Sequence, residues 1–120
     1  MKGIFLYIIM FFLNMNILAN DVPDCSGVNH WAPSMAFVEL KNNGFTTNDK
    51  LDFNKTISIR ISSEKIAEDL YKQVHLVTYV EKKGKVFQLI TINNASSEEC
   101  SMSDVEVYLI KSKISDKLDI

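Results

Sequence analysis

Residues 73–94 read QVHLVTYVEKKGKVFQLITINN. Two runs rich in Val, Ile, Leu, Thr and aromatic residues flank a short polar segment at Lys83-Gly84. Such residues suit a pleated, packed surface, and a glycine between two such runs marks a hairpin turn. A two-residue loop would set Val80 opposite Phe87, Thr78 opposite Leu89 and Leu76 opposite Thr91. Tyr79 would then meet Gln88, Val77 would meet Ile90 and His75 would meet Ile92 on the other face; a three-residue loop would change these pairs. In either register both faces are substantially apolar, which predicts a central strand pair covered on two sides.

Outward from the hairpin, DVEVYLI (104–110) alternates and predicts a last strand with Val105, Val107 and Leu109 inward. Upstream, TISIRIS (56–62) sets Ile57, Ile59 and Ile61 on one side and Ser58, Arg60 and Ser62 on the other, a half-buried strand with the isoleucines as its apolar row. Between them lies SSEKIAEDLYKQV (62–74). Ser62 or Ser63 suits a helix cap, Glu64 and Lys72 complement the helix dipole, and Ile66, Leu70 and Val74 recur every four residues; this predicts a helix. Another helix is predicted over APSMAFVELKNNG (32–44), with Pro33 near its start, Gly44 just past its end, and Ala36, Phe37 and Leu40 on one face. Residues 45–55 are polar and turn-rich. Together these elements predict an α+β fold: a small, mostly antiparallel sheet of about four strands with one or two helices.

The first 19 residues are not domain material. Lys2 precedes a charge-free apolar run, Gly3 to Leu13, then polar Asn14 and Asn16 and a small residue at Ala19. This is the layout of a secretory signal peptide, too short for a comfortable membrane span. The predicted organisation is a signal peptide over 1–19 and one small domain over 20–120. Loss of Lys2 leaves twelve basic against fifteen acidic residues. That balance gives no footprint for nucleic acid, and no later apolar run suggests a membrane after signal cleavage. A periplasmic or secreted chain is the expectation.

DCSGVNHW (24–31) brings a cysteine, a histidine and the chain's one tryptophan together. Cys25 could act as a nucleophile assisted by His30. The competing reading is a disulfide with Cys100, the only other cysteine, in an oxidising compartment. The second is preferred, because no third group is signalled to orient a base. Trp31 then covers the staple or offers a stacking platform for a ligand. Cys25, Cys100, His30 and His75 lack the paired spacing of a zinc site, so no metal or other cofactor is predicted. SSEK at 62–65 matches a Ser-x-x-Lys pattern, but its companion motifs are absent from the chain, and no catalytic residue is assigned. EECSMSDVE (98–106) holds Glu98, Glu99, Asp104 and Glu106 close in sequence. These four, with His30 and Trp31, are the candidate binding residues.

DCSGVNHW (24–31), SEKI (63–66), DLYKQVH (69–75) and EECSMSDVEV (98–107) together resemble a group of short exported bacterial proteins of unknown function. The resemblance spans most of residues 24–111 and implies no activity. The expected function is that of a non-catalytic module binding another protein, a basic one if the acidic segment is the surface, in the manner of an inhibitor or immunity protein. A small envelope hydrolase using Glu98, Glu99 or His30, or a small-ligand carrier using Trp31, is the alternative.

Overall fold

A computed structural model describes residues 22–110; the predicted signal peptide lies outside the described residues. Helix α1 (Trp31–Asn42) and a 3-10 turn (Phe53–Lys55) precede four strands: β1 (Ile57–Ala67), β2 (Leu70–Val80), β3 (Val86–Ala95) and β4 (Glu106–Ile110). The strands form one antiparallel sheet in the order β1-β2-β3-β4. This is the expected α+β class, with one α-helix among the described residues.

The hairpin uses the longer loop. Glu81 N–H donates to the Lys85 carbonyl and Gly84 N–H to that of Glu81, each at 2.8 Å, so Lys82-Lys83-Gly84 makes the connection. Gly84, at φ +101°, supplies the positive dihedral that such a loop needs at its last position. Val80 therefore pairs with Val86, Tyr79 with Phe87, Val77 with Leu89 and His75 with Thr91. Tyr71, Gln73, His75, Val77 and Tyr79 of β2 alternate inward with Phe87, Leu89, Thr91, Asn93 and Ala95 of β3.

The helix expected over residues 62–74 is strand instead. A four-residue spacing is also a multiple of two, so Leu70 and Val74 share one face of β2 as readily as one face of a helix. The chain turns at Glu68-Asp69, where Asp69 takes φ +46°, a value that aspartate tolerates better than most residues. Ser62–Lys65 then pairs with Tyr71–Val74. Ile61 and Ile66 fall at the two register shifts of β1.

Helix α1 covers only one face of the sheet. Its Ala36 and Leu40 pack with Leu51, Val77, Tyr79, Phe87 and Leu89, and Phe37, Val107 and Leu109 border that core. Phe37 meets the Phe53 ring edge-on at 5.2 Å, and the buried Tyr79 hydroxyl donates to the Pro33 carbonyl at 2.7 Å. Val107 and Leu109 point inward as expected. The β1 isoleucines do not: Ile57 and Ile59 are exposed on the face away from α1, and Ile61, at a register shift, is exposed as well. Ser58 and Arg60 instead share the covered face with Val77 and His75.

Candidate functional site at the stapled end

Below the apolar core the covered face turns polar, with Gln73, His75, Thr91 and Asn93 all buried. The segment from Pro23 to Trp31 lies over them. The Pro23 carbonyl accepts from Arg60 Nη1 and from Gln73 Nε2, each at 2.8 Å. A cation and an amide converging on one carbonyl fix where the chain beyond it sits. Close behind is Cys25, buried and bonded to Cys100 with the Cα atoms 5.7 Å apart. The disulfide fits an oxidising compartment. Between them, the Asp24 carboxylate accepts from the Ser26 hydroxyl at 2.6 Å and the Ser26 N–H at 3.1 Å, and these bonds hold it below the usual carboxylate range.

The turn that follows brings Gly27 and His30 into close contact. His30 N–H donates to the Gly27 carbonyl at 2.9 Å, and the imidazole lies so close that a Cβ at Gly27 would sit 3.3 Å from Nε2. The ring Nδ1 is 3.9 Å from Cys100 Sγ. Trp31 opens α1, and its indole N–H donates to the Ser103 carbonyl at 3.1 Å. Two loops distant in sequence are thus joined at Cys25–Cys100 and at Trp31–Ser103.

The second loop, residues 96–104, is tied down along its length. Ser96 Oγ accepts from the N–H groups of Glu98 and Glu99. Asn93 Nδ2 donates to the Cys100 carbonyl at 2.8 Å, and Met102 N–H donates to the Asn94 carbonyl at 3.0 Å. Ser97 donates through its hydroxyl and its N–H to Asp69, which lowers that carboxyl's pKa. Glu98, Glu99 and Met102 project into solvent from this frame.

Of the candidate residues, the fold brings Cys25, Cys100, His30, Trp31, Glu98, Glu99 and Asp104 to one end of the molecule. Glu106 separates from them. It accepts from the Tyr108 hydroxyl at 2.8 Å on the uncovered face, and with Asp104, Ile66, Lys72 and Ile92 it lines a shallow cleft of about 360 Å³. His75 is fully buried. Burial first, and then the Arg60 charge, lowers its pKa; Asp24 opposes this and His30 adds to it. Neither His75 nitrogen, nor the Thr91 hydroxyl, has a hydrogen-bond partner among the described residues.

The arrangement limits the chemistry. The two sulfurs and a ring nitrogen of His30 lie within 4.8 Å of one another, but the sulfurs are bonded to each other and offer no thiolate to a metal or a substrate. What the end does present is Trp31 (37% exposed) and Met102 (47% exposed) beside acidic side chains. Sequence reasoning missed Arg60 and Gln73, which seat the first loop. The available signal was an arginine set in a strand otherwise built of isoleucine and serine.

No family of known proteins, no curated protein and no solved structure matches this chain.

Proposed function

We propose that the chain is an exported, non-catalytic protein-binding module of the inhibitor or immunity type, and that its stapled end takes a basic partner in the periplasm or outside the cell. The observation that carries this reading is pre-organisation. Trp31 and Met102 flank the Ser103 carbonyl on a frame held by a disulfide and several main-chain bonds. A rigid aromatic anchor loses little entropy on binding, and tryptophan is enriched among the residues that dominate interface energy. Glu98, Glu99 and Asp104 around it would attract a basic surface and speed encounter.

The test begins with capture of partners from periplasmic extract, followed by kinetics with the purified pair. Glu98→Lys and Glu99→Lys should slow association several-fold and flatten its salt dependence. Trp31→Ala should weaken affinity tenfold or more, roughly 1.4 kcal/mol and upward, while Trp31→Phe should retain part of it. Association unchanged by all three substitutions in folded protein would move the interface elsewhere. Turnover of cell-wall fragments by the purified chain would overturn the non-catalytic reading.

A further inference from the structure

The stapled end holds a set of metal-ligand atoms as well as a bond. Cys25 Sγ, Cys100 Sγ and a ring nitrogen of His30 all lie within 4.8 Å of one another. They come from two loops, His30 and Cys100 being 70 residues apart, so no short spacing along the chain marks them as a set. In the disulfide the sulfurs are engaged with each other. Reduction returns two thiols beside an imidazole, and thiolate and imidazole are the ligands that zinc prefers.

We infer that the reduced chain binds one zinc ion through Cys25, Cys100 and His30. The same three side chains then form a covalent staple when oxidised and a metal crosslink when reduced. Three observations carry this. The first is distance. Zinc bonded tetrahedrally to sulfur at about 2.3 Å and to nitrogen at about 2.0–2.1 Å sets its ligand atoms about 3.5–3.8 Å apart. His30 Nδ1 already stands 3.9 Å from Cys100 Sγ. Once their bond is broken, the sulfurs separate by turning about Cα–Cβ, with the Cα atoms left 5.7 Å apart.

The second is aim. His30 stands at the N-cap of α1, yet its side chain caps no N–H group of the helix. The Nε2 edge backs onto Gly27, and Nδ1 faces Cys100. The third is pre-organisation. Both loops are fixed by bonds that do not involve sulfur: Pro23 to Arg60 and Gln73, the Cys100 carbonyl to Asn93, and Trp31 to the Ser103 carbonyl. Ligands held on such a frame lose less freedom when the ion binds.

A dithiol supplies the two electrons. One of its thiolates attacks Cys100 Sγ, since Cys100 is half-buried and Cys25 only 2% exposed; the S–S bond breaks and Cys25 leaves as thiolate. The second thiol attacks the mixed disulfide, closes the reductant's own disulfide and releases Cys100. Zinc then displaces the two thiol protons to solvent and takes His30 as neutral imidazole. Three protein ligands leave the fourth tetrahedral position to water.

The experiment is anaerobic zinc titration of the full mature chain, reduced with a dithiol and then freed of it, read by competition with a chromophoric chelator. Cobalt(II) serves as the optical probe. The reduced chain should take up one equivalent of zinc and the oxidised chain none at that affinity. Cobalt should give the intense visible bands of a tetrahedral thiolate site. Cys25→Ser, Cys100→Ser and His30→Ala should each raise the dissociation constant at least about tenfold, the least that even a partner of a ligand contributes. His30→Ala is the decisive variant, because it keeps both thiols and removes no helix cap. Zinc should raise the Tm of the reduced chain and leave that of the oxidised chain unchanged. Equal affinity in the oxidised chain or in His30→Ala overturns the inference, as does the weak spectrum of octahedral cobalt. Equal affinity in urea would mean capture by two thiols of a loose chain, and overturns it too. Partner capture at Trp31 uses the oxidised chain and is read separately.

Discussion

Removing the disulfide should cost this protein a large part of its stability, and the size of the loss follows from where the cysteines stand. Cys25 and Cys100 are separated by 75 residues, so the bond closes a loop containing α1 and the first three strands. In the chain-entropy model a loop of that length restrains the unfolded state by about 4.5 kcal/mol at 25 °C. The native loops keep other ties: Pro23 to Arg60 and Gln73, Asn93 to Cys100, and Trp31 to Ser103. Those bonds exist only in the folded state and do not restrain the unfolded chain, so they do not offset the loss. For the 89 residues from 22 to 110, an unfolding entropy of about 2.1 cal/mol/K per residue converts 4.5 kcal/mol into a fall in Tm of about 24 °C. The assay is calorimetry or a circular-dichroism melt of Cys25→Ala/Cys100→Ala against wild type, with reduced wild type as a second comparison. Cys25→Ala alone should fall as far as the double variant, since either change breaks the bond. A fall of less than about 5 °C in both the variant and the reduced protein would refute the loop-entropy reasoning.

Gly84→Ala should destabilise by about 1–3 kcal/mol through backbone strain alone, since φ is +101° and a Cβ added there would meet nothing within 4 Å; Gly84→Asn should cost less, and urea melts would rank the two. Tyr79→Phe removes the phenol's bond to the Pro33 carbonyl and should cost about 0.5–1.5 kcal/mol in the same assay. Burial raises the Tyr79 phenol to about 12, so its share of stability is intact below its unfolded value near 10 and is lost as pH climbs toward 12, which ultraviolet titration alongside melting would follow. The His75 pKa is lowered by burial, so the folded state resists its protonation. Stability is full above the unfolded value of 6.5 and declines as pH falls below it. Tm measured from pH 7.5 to pH 5 should therefore drop for wild type and drop less for His75→Gln.

The sequence made some of this architecture legible and hid the rest for identifiable reasons. The β2–β3 pair, helix α1 and the inward row of β4 could be read because each has one unambiguous period and a glycine or an apolar row to fix it. Residues 62–74 misled because Ile66, Leu70 and Val74 satisfy two periods at once, and serine and glutamate near Ser63 mimic a helix start. A continuation of the Tyr79, Val77, His75, Gln73, Tyr71 alternation past the hairpin was the better guide. Ile57, Ile59 and Ile61 were assigned inward because apolar residues usually are. Here Arg60 donates to the Pro23 carbonyl on the covered face and pairs with His75, which fixes the register and sends Ile57 and Ile59 outward. The pairing of Cys25 with Cys100 was legible from count and setting. The grouping of Glu106 with Glu98 and Glu99 was not sound, because alternation in β4 sends Glu106 to the other face.

The position of the disulfide also decides how the protein responds to tension. Load applied between residues 22 and 110 enters at Val22, passes through the Cys25–Cys100 bond and leaves through residues 101–110. Helix α1, β1, β2 and β3 lie inside the closed loop, off the covalent path of the load. Outside the closed loop the load meets Pro23, tied to Arg60 and Gln73, and β4, five residues held to β3. With the bond intact, extension between Cys100 and residue 110 is limited to about 35 Å; with it reduced, the same pull can draw out all of residues 22–110, about 300 Å of chain. The bond is therefore a covalent shunt that protects the helix and the first three strands and leaves β4 as the one strand among the described residues that lies on the covalent path of the load.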